Sequence, residues 1–138
     1  MTKSILITDR ESEAATRLYE FLSSKKFKVF VASSGRETID ALHNYLVDAL
    51  LLDAATPIIP PTDFLLKLRQ MKFRVPCFVV GGEPLIRTSK LQEQLGPVTQ
   101  IDKPIDLLRL SRDLQIVTQW NPDEHVDTVS ALTKIRRA

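Results

Sequence analysis

Asp48-Ala49-Leu50-Leu51-Leu52-Asp53 is the stretch that decides the fold. Four apolar residues run without alternation between two carboxylates. That pattern is expected of a strand covered on both faces, as in a parallel sheet sandwiched between helices. Outward from it, short apolar runs recur at Ser4–Thr8, Lys28–Ala32 and Cys77–Val80, with a shorter one at residues 99–101. Between these runs the apolar residues change to helical spacing. Ala14, Ala15, Leu18, Phe21 and Leu22 form one face, and Phe64, Leu65, Leu68 and Met71 another. Ser34-Gly35-Arg36-Glu37 reads as a capping box opening a helix with Ile39, Leu42 and Leu46 inward. Gly81-Gly82-Glu83-Pro84 breaks the chain before a weaker fourth helix that ends near Leu95-Gly96. From Asp106 a fifth helix carries Leu107, Leu108, Leu110, Leu114 and Val117. Strands alternating with helices predict an α/β fold with one doubly wound parallel sheet.

In such sheets the functional crevice lies beyond the carboxyl ends of the strands, where strand order reverses. Asp9 follows the first run, Asp53 ends the third, Gly81 and Gly82 follow the fourth, and Asp102 and Lys103 follow the fifth. Two carboxylates and one ammonium are therefore expected to converge on one edge.

Composition bounds the alternatives. The 138 residues are 43% hydrophobic and 26% charged, with a net charge of +2, which suits one packed domain and argues against nucleic acid or membrane as a partner. No apolar run approaches the span of about 20 residues that a membrane helix needs. The N-terminus lacks a signal-peptide pattern, and the single cysteine, Cys77, cannot form an internal disulfide, so a cytoplasmic location is expected. Cys77 lies in an apolar run and reads as a buried core residue. His43 and His125 have no ligand spacing, and no placed Ser or Cys has a His, which disfavours a hydrolase. The segment Thr8-Asp9-Arg10-Glu11-Ser12 lacks the glycine that would let main-chain amides cradle the phosphate of a flavin nucleotide.

Four motifs in order resemble the receiver (CheY-like) domain of two-component response regulators. They are Ile5-Leu6-Ile7-Thr8-Asp9, Asp48-Ala49-Leu50-Leu51-Leu52-Asp53 with Pro57 after it, Val75-Pro76-Cys77-Phe78-Val79-Val80, and Lys103-Pro104. The resemblance runs from about Lys3 to Gln115. It implies a flavodoxin-like three-layer α/β/α fold, strand order 2-1-3-4-5, with a cis peptide before Pro104. It implies a signalling module that a sensor histidine kinase phosphorylates on Asp53, with Lys103 pairing the phosphoryl oxygens, and not an enzyme beyond that self-phosphorylation. A Mg²⁺ ion would be held by Asp9, Asp53 and the main-chain carbonyl of Ala55. The homodimer or partner face would be the fourth helix, fifth strand and fifth helix, with Arg109 and Arg112 outward.

Pro60 and Pro61 sit where the family commonly has an Asp-Gly turn, and three further positions depart from the pattern. Arg10 stands where a second acidic residue is usual and opposes metal binding; Gly81 replaces a Thr or Ser; Gln100 replaces the aromatic switch residue. These departures leave two readings open. Asp53 is either an atypical phosphoacceptor or a static partner of Lys103 or Arg10 in a pseudo-receiver that docks proteins without phosphate. Residues 1–119 are expected to form the receiver domain. Residues 120–138 are expected to be a docked helix or linker, with Val126, Val129, Leu132 and Ile135 recurring every three residues and Trp120 at the junction.

Overall fold

The computed structural model describes residues 2–10, 12–56, 60–85 and 88–119. The expected C-terminal helix, Trp120, His125 and Pro57 lie outside the described residues. Five strands, β1 (Ser4–Thr8), β2 (Lys28–Ala32), β3 (Ala49–Asp53), β4 (Cys77–Val80) and β5 (Val98–Ile101), form one parallel sheet in the order β2-β1-β3-β4-β5. Five helices alternate with them: α1 (Glu13–Ser24), α2 (Gly35–Asn44), α3 (Pro61–Gln70), α4 (Ser89–Leu95) and α5 (Leu107–Thr118). The expected α/β architecture and strand order are both present. Strand order reverses between β1 and β3, so Asp9 and Asp53 leave the sheet on either side of the reversal.

The two-residue pleat sorts side chains between two cores. Ile5, Ile7, Ala49, Leu51 and Phe78 pack against Leu18 and Leu22 of α1 and Leu110, Leu114 and Val117 of α5. Leu6, Leu50, Leu52, Cys77 and Val79 pack against Phe64, Leu65 and Leu68 of α3. Every residue of β3 is buried, as its unbroken apolar run predicts. By the same parity Asp9 and Asp53 follow the α1/α5 face, which decides on which side of the sheet the site opens.

Helix starts follow local chemistry. Ser12, Ser34, Thr88 and Asp106 each accept a main-chain N–H of the first turn through a side-chain oxygen. The capping box at α2 is shifted by one residue: Ser34 accepts the Glu37 N–H, while the Glu37 carboxylate accepts the Ser33 N–H and hydroxyl at 2.6 and 2.7 Å. These bonds hold the Glu37 carboxyl below its ordinary range.

Ala14 of α1, Leu46 and Leu108, all read from the sequence as apolar-face residues, are exposed. The α2 helix stops at Asn44 because Tyr45 turns extended, and Leu46 beyond it is 91% exposed. Leu108 of α5 is 63% exposed, since it lies roughly opposite Leu110 around the helix. Met71 is the C-cap of α3 and only partly buried. Gly96 ends α4 at φ +67°, as its glycine suggests. No helix among the described residues is long and apolar enough to cross a membrane.

Candidate functional site

The loops leaving β1, β3 and β4 are tied to neighbouring strands before any side chain acts. Asp9 N–H donates to the Ala32 carbonyl, Ala54 N–H to Val80, and Gly81 N–H to Ile101, at 2.8–3.0 Å. Thr56 Oγ1 donates to the Thr8 carbonyl, and the Thr8 and Thr38 hydroxyls meet at 2.6 Å beneath the site. These anchors surround Asp9 and Asp53.

Lys103 Nζ lies 2.9 Å from Asp53 Oδ2 and 3.1 Å from Oδ1, and the Ala55 N–H donates to Oδ1 at 2.8 Å. The Asp53 side chain is 11% exposed and that of Lys103 is 48% exposed, so the lysine can leave the pair by a rotamer change while the carboxylate stays. Of the two cations expected as partners of Asp53, Lys103 makes the bond. Arg10 is exposed and forms no ion pair among the described residues; its contribution is a main-chain N–H to the Asp9 carboxylate. The Lys103-Pro104 bond is cis, as the motif implies.

Asp9 is buried and its carboxyl is raised above the ordinary range. Burial is the main cause and the Asp53 charge the second; the Arg10 amide, Lys103 and the Ser12 hydroxyl pull the other way. Ser12 donates to Asp9 Oδ2 at 3.4 Å. The site therefore holds two carboxylates against one ammonium. The donor set, Asp9, Asp53 and the Ala55 main chain, suits a hard divalent cation, which would relieve that excess of negative charge. No cluster of three His, Cys, Asp or Glu side chains with metal-binding geometry occurs among the described residues. Beside the pair, a cleft of about 560 Å³ opens over Ile7, Leu18, Leu51 and Val80.

Gly81 and Gly82 have φ of +72° and +78°. A Cβ on Gly81 would stand 3.2 Å from Lys103 Cε, and one on Gly82 would stand 2.6 Å from Ala54 Cβ. The glycine at 81 thus gives the Lys103 stem its path across the loop. Gln100 is equally occupied: its Oε1 accepts the Leu85 N–H at 3.1 Å, and its Nε2 donates to the carbonyls of Glu83 at 2.8 Å and Gly81 at 3.5 Å. It staples β5 to the loop after β4. Arg109 and Arg112 of α5 are exposed, as expected.

Sequence reasoning missed Asp113, a 6%-exposed acid on α5 whose carboxyl burial raises, with Arg109 and Arg112 opposing. It shares a recess with Thr99, whose buried hydroxyl has no hydrogen-bond partner among the described residues. It missed Arg69 as well. Arg69 donates to the carbonyls of Leu95, Phe73, Val75 and Pro97 and reaches Cys77 Sγ at 3.6 Å. Cys77 is buried as expected, and burial pushes its thiol up to about 11, Arg69 notwithstanding.

Solved receiver domains share this fold. A CheY-like receiver domain protein from Methanospirillum hungatei is 20% identical, with a TM-score of 0.74 over 86% of this chain and 95% of its own. A CheY-like receiver domain from Methylobacillus flagellatus is 24% identical, with a TM-score of 0.70 over 85% and 99%. A chain of the Saccharomyces cerevisiae complex between the histidine phosphotransfer protein Ypd1 and the receiver domain of the response regulator Ssk1 is 15% identical, with a TM-score of 0.71 over 86% and 90%. The fold is that of CheY-like response-regulator receiver domains. Among curated proteins, a probable transcriptional regulator, ycf29 of Pyropia yezoensis, is 19% identical over 108 residues, 77% of this chain. The chain spans about half the length of that relative, 49%. No protein-family model matches the chain.

Proposed function

We propose that this chain is a receiver-type module of two-component signalling in which Asp53 accepts a phosphoryl group from a phosphohistidine of a sensor kinase or phosphotransfer protein. The observation that carries this reading is the Lys103–Asp53 pair at the reversal of strand order, with Asp9 buried beside it. A half-exposed lysine on a nearly buried carboxylate is suited to exchange. As an Asp53 oxygen attacks phosphorus, the new P–O bond forms, the P–N bond to imidazole breaks and the imidazole leaves. Lys103 Nζ then moves from Asp53 to a phosphoryl oxygen and compensates the charge that arrives. The Ala55 N–H keeps Oδ1 oriented. When bound to Asp9, Asp53 and the Ala55 carbonyl, Mg²⁺ would supply the remaining neutralisation of charge. A cytoplasmic location and a homodimer through α4, β5 and α5 belong to the same proposal.

A second reading has its own support. Gly81 offers no hydroxyl to a phosphoryl group, and Gln100 is held by three hydrogen bonds where an aromatic residue would change rotamer. In this reading the module docks partners independently of phosphate.

The experiment is incubation with acetyl phosphate, with and without Mg²⁺, followed by intact mass. One added phosphoryl group that disappears in Asp53→Asn, and falls sharply in Lys103→Met, supports the phosphoacceptor. No added mass under either condition, with the protein folded, leaves the phosphate-independent module.

A further inference from the structure

We propose that the groove at the N-terminal edge of the sheet is the docking site for residues 120–127 of this same chain, with Trp120 as its apolar anchor. The groove, about 380 Å³, lies between the loop after α2, the loop after α3 and the last turn of α5. Tyr45, Leu46, Phe73 and Val117 give it apolar walls, and Lys72 and Arg74 stand at its rim. Tyr45 is 54% and Leu46 91% exposed.

Three observations select the occupant. The first is continuity: Val117 and Thr118 form one wall, so Trp120 begins at most about 7 Å of chain beyond it. A tethered segment faces such a groove at an effective concentration in the millimolar range, which makes even a weak contact occupied. The second is charge. Lys72 and Arg74 make no ion pair among the described residues, and the remaining groove carboxylate, Asp48, is engaged by the Ser4 N–H at 2.7 Å. The segment brings three acids, Asp123, Glu124 and Asp127. The third is the apolar match. Trp120 is the chain's single tryptophan, and large aromatic side chains contribute most where they fill a pocket. This docking is independent of Asp53 and lies at the opposite edge of the sheet from it.

Because Trp120 is unique, its fluorescence in the full chain reads the groove directly. The expected result is a blue-shifted emission and a several-fold weaker quenching by acrylamide than in the denatured chain. Leu46→Asp and Arg74→Glu, both at exposed positions, each lose that shielding with unchanged far-UV circular dichroism. Glu124→Arg added to Arg74→Glu recovers it. Quenching in the wild type equal to that of the denatured chain overturns the proposal, as does shielding that neither groove variant changes. Shielding that declines on dilution also overturns it, and assigns the groove to the segment of a second copy.

Discussion

The two edges of the sheet each carry one cation reaching across loops, and they use it in opposite ways. At the N-terminal edge, Arg69 commits its guanidinium to four main-chain carbonyls, one at the end of α4 and three in the loops before β4 and β5, at 2.6–3.3 Å. Those carbonyls are neutral and fixed by the chain, so nothing can be exchanged and the arginine works as a rivet. At the C-terminal edge, Lys103 meets a carboxylate, stays 48% exposed, and faces a second acid, Asp9, that it neutralises only in part. There the charges do not cancel and the lysine is free to turn. A cation whose donors are saturated by carbonyls builds the fold; one that shares a surplus of negative charge is available for chemistry.

The sharpest way to break this contrast is Arg69→Met. Four carbonyls would lose their donor, and hydrogen bonds to a charged group contribute about 1.5–3 kcal/mol each when partly buried, though not additively. We expect a loss of about 3–4 kcal/mol in chemical denaturation, with acetyl phosphate labelling of Asp53 unchanged in the folded fraction. Arg69→Lys should recover little, because a point-like ammonium cannot span the fork. A loss below about 1 kcal/mol would show that the rivet is ornamental.

Gly81→Ser tests the other edge at intermediate size. Left-handed backbone at φ +72° and a Cβ 3.2 Å from Lys103 Cε predict a cost of about 1–3 kcal/mol. The same crowding displaces Lys103, so phosphoryl yield should fall even though a hydroxyl has been added. A higher yield would mean that the lysine stem adjusts freely and that the missing hydroxyl limited the site.

The smallest effect is Asp9→Asn, and its sign depends on pH. The folded carboxyl is raised above 3.8, so the charged form is disfavoured in the native state. Its contribution to stability is fully present below the unfolded value and is lost as pH rises through the raised value. At pH 7 the asparagine variant should be more stable by under about 1 kcal/mol, the shift being discounted for solvent screening, and the advantage should vanish below pH 3.8. Equal stability at both pH values would remove the charge surplus from the account. Mg²⁺, read by a shift in unfolding midpoint, should stabilise the wild type more than this variant.

Much of the architecture was legible locally. The bounds of β1 to β4 follow from apolar runs, and the convergence of Asp9, Asp53 and Lys103 follows from each standing at the end of a parallel strand. Periodicity failed where a helix stopped early or its apolar arc was narrower than its composition. Leu46 and Leu108 are leucines in helical register, yet whether a face is covered depends on what lies opposite.

The sequence by itself therefore determined four of the strands and the charged constellation at one edge, because burial period and strand termini are written in residue type and spacing, while the strand order came from the resemblance to receiver domains. Tertiary structure alone decided which cation pairs with Asp53, why glycine stands at 81, and what Gln100 and Arg69 hold. The physical reason is that their partners are main-chain amides and carbonyls or a neighbour's aliphatic stem. Nearly every residue carries such groups, so they leave no mark in the sequence, and they become specific only when folding brings loops distant along the chain within 3 Å.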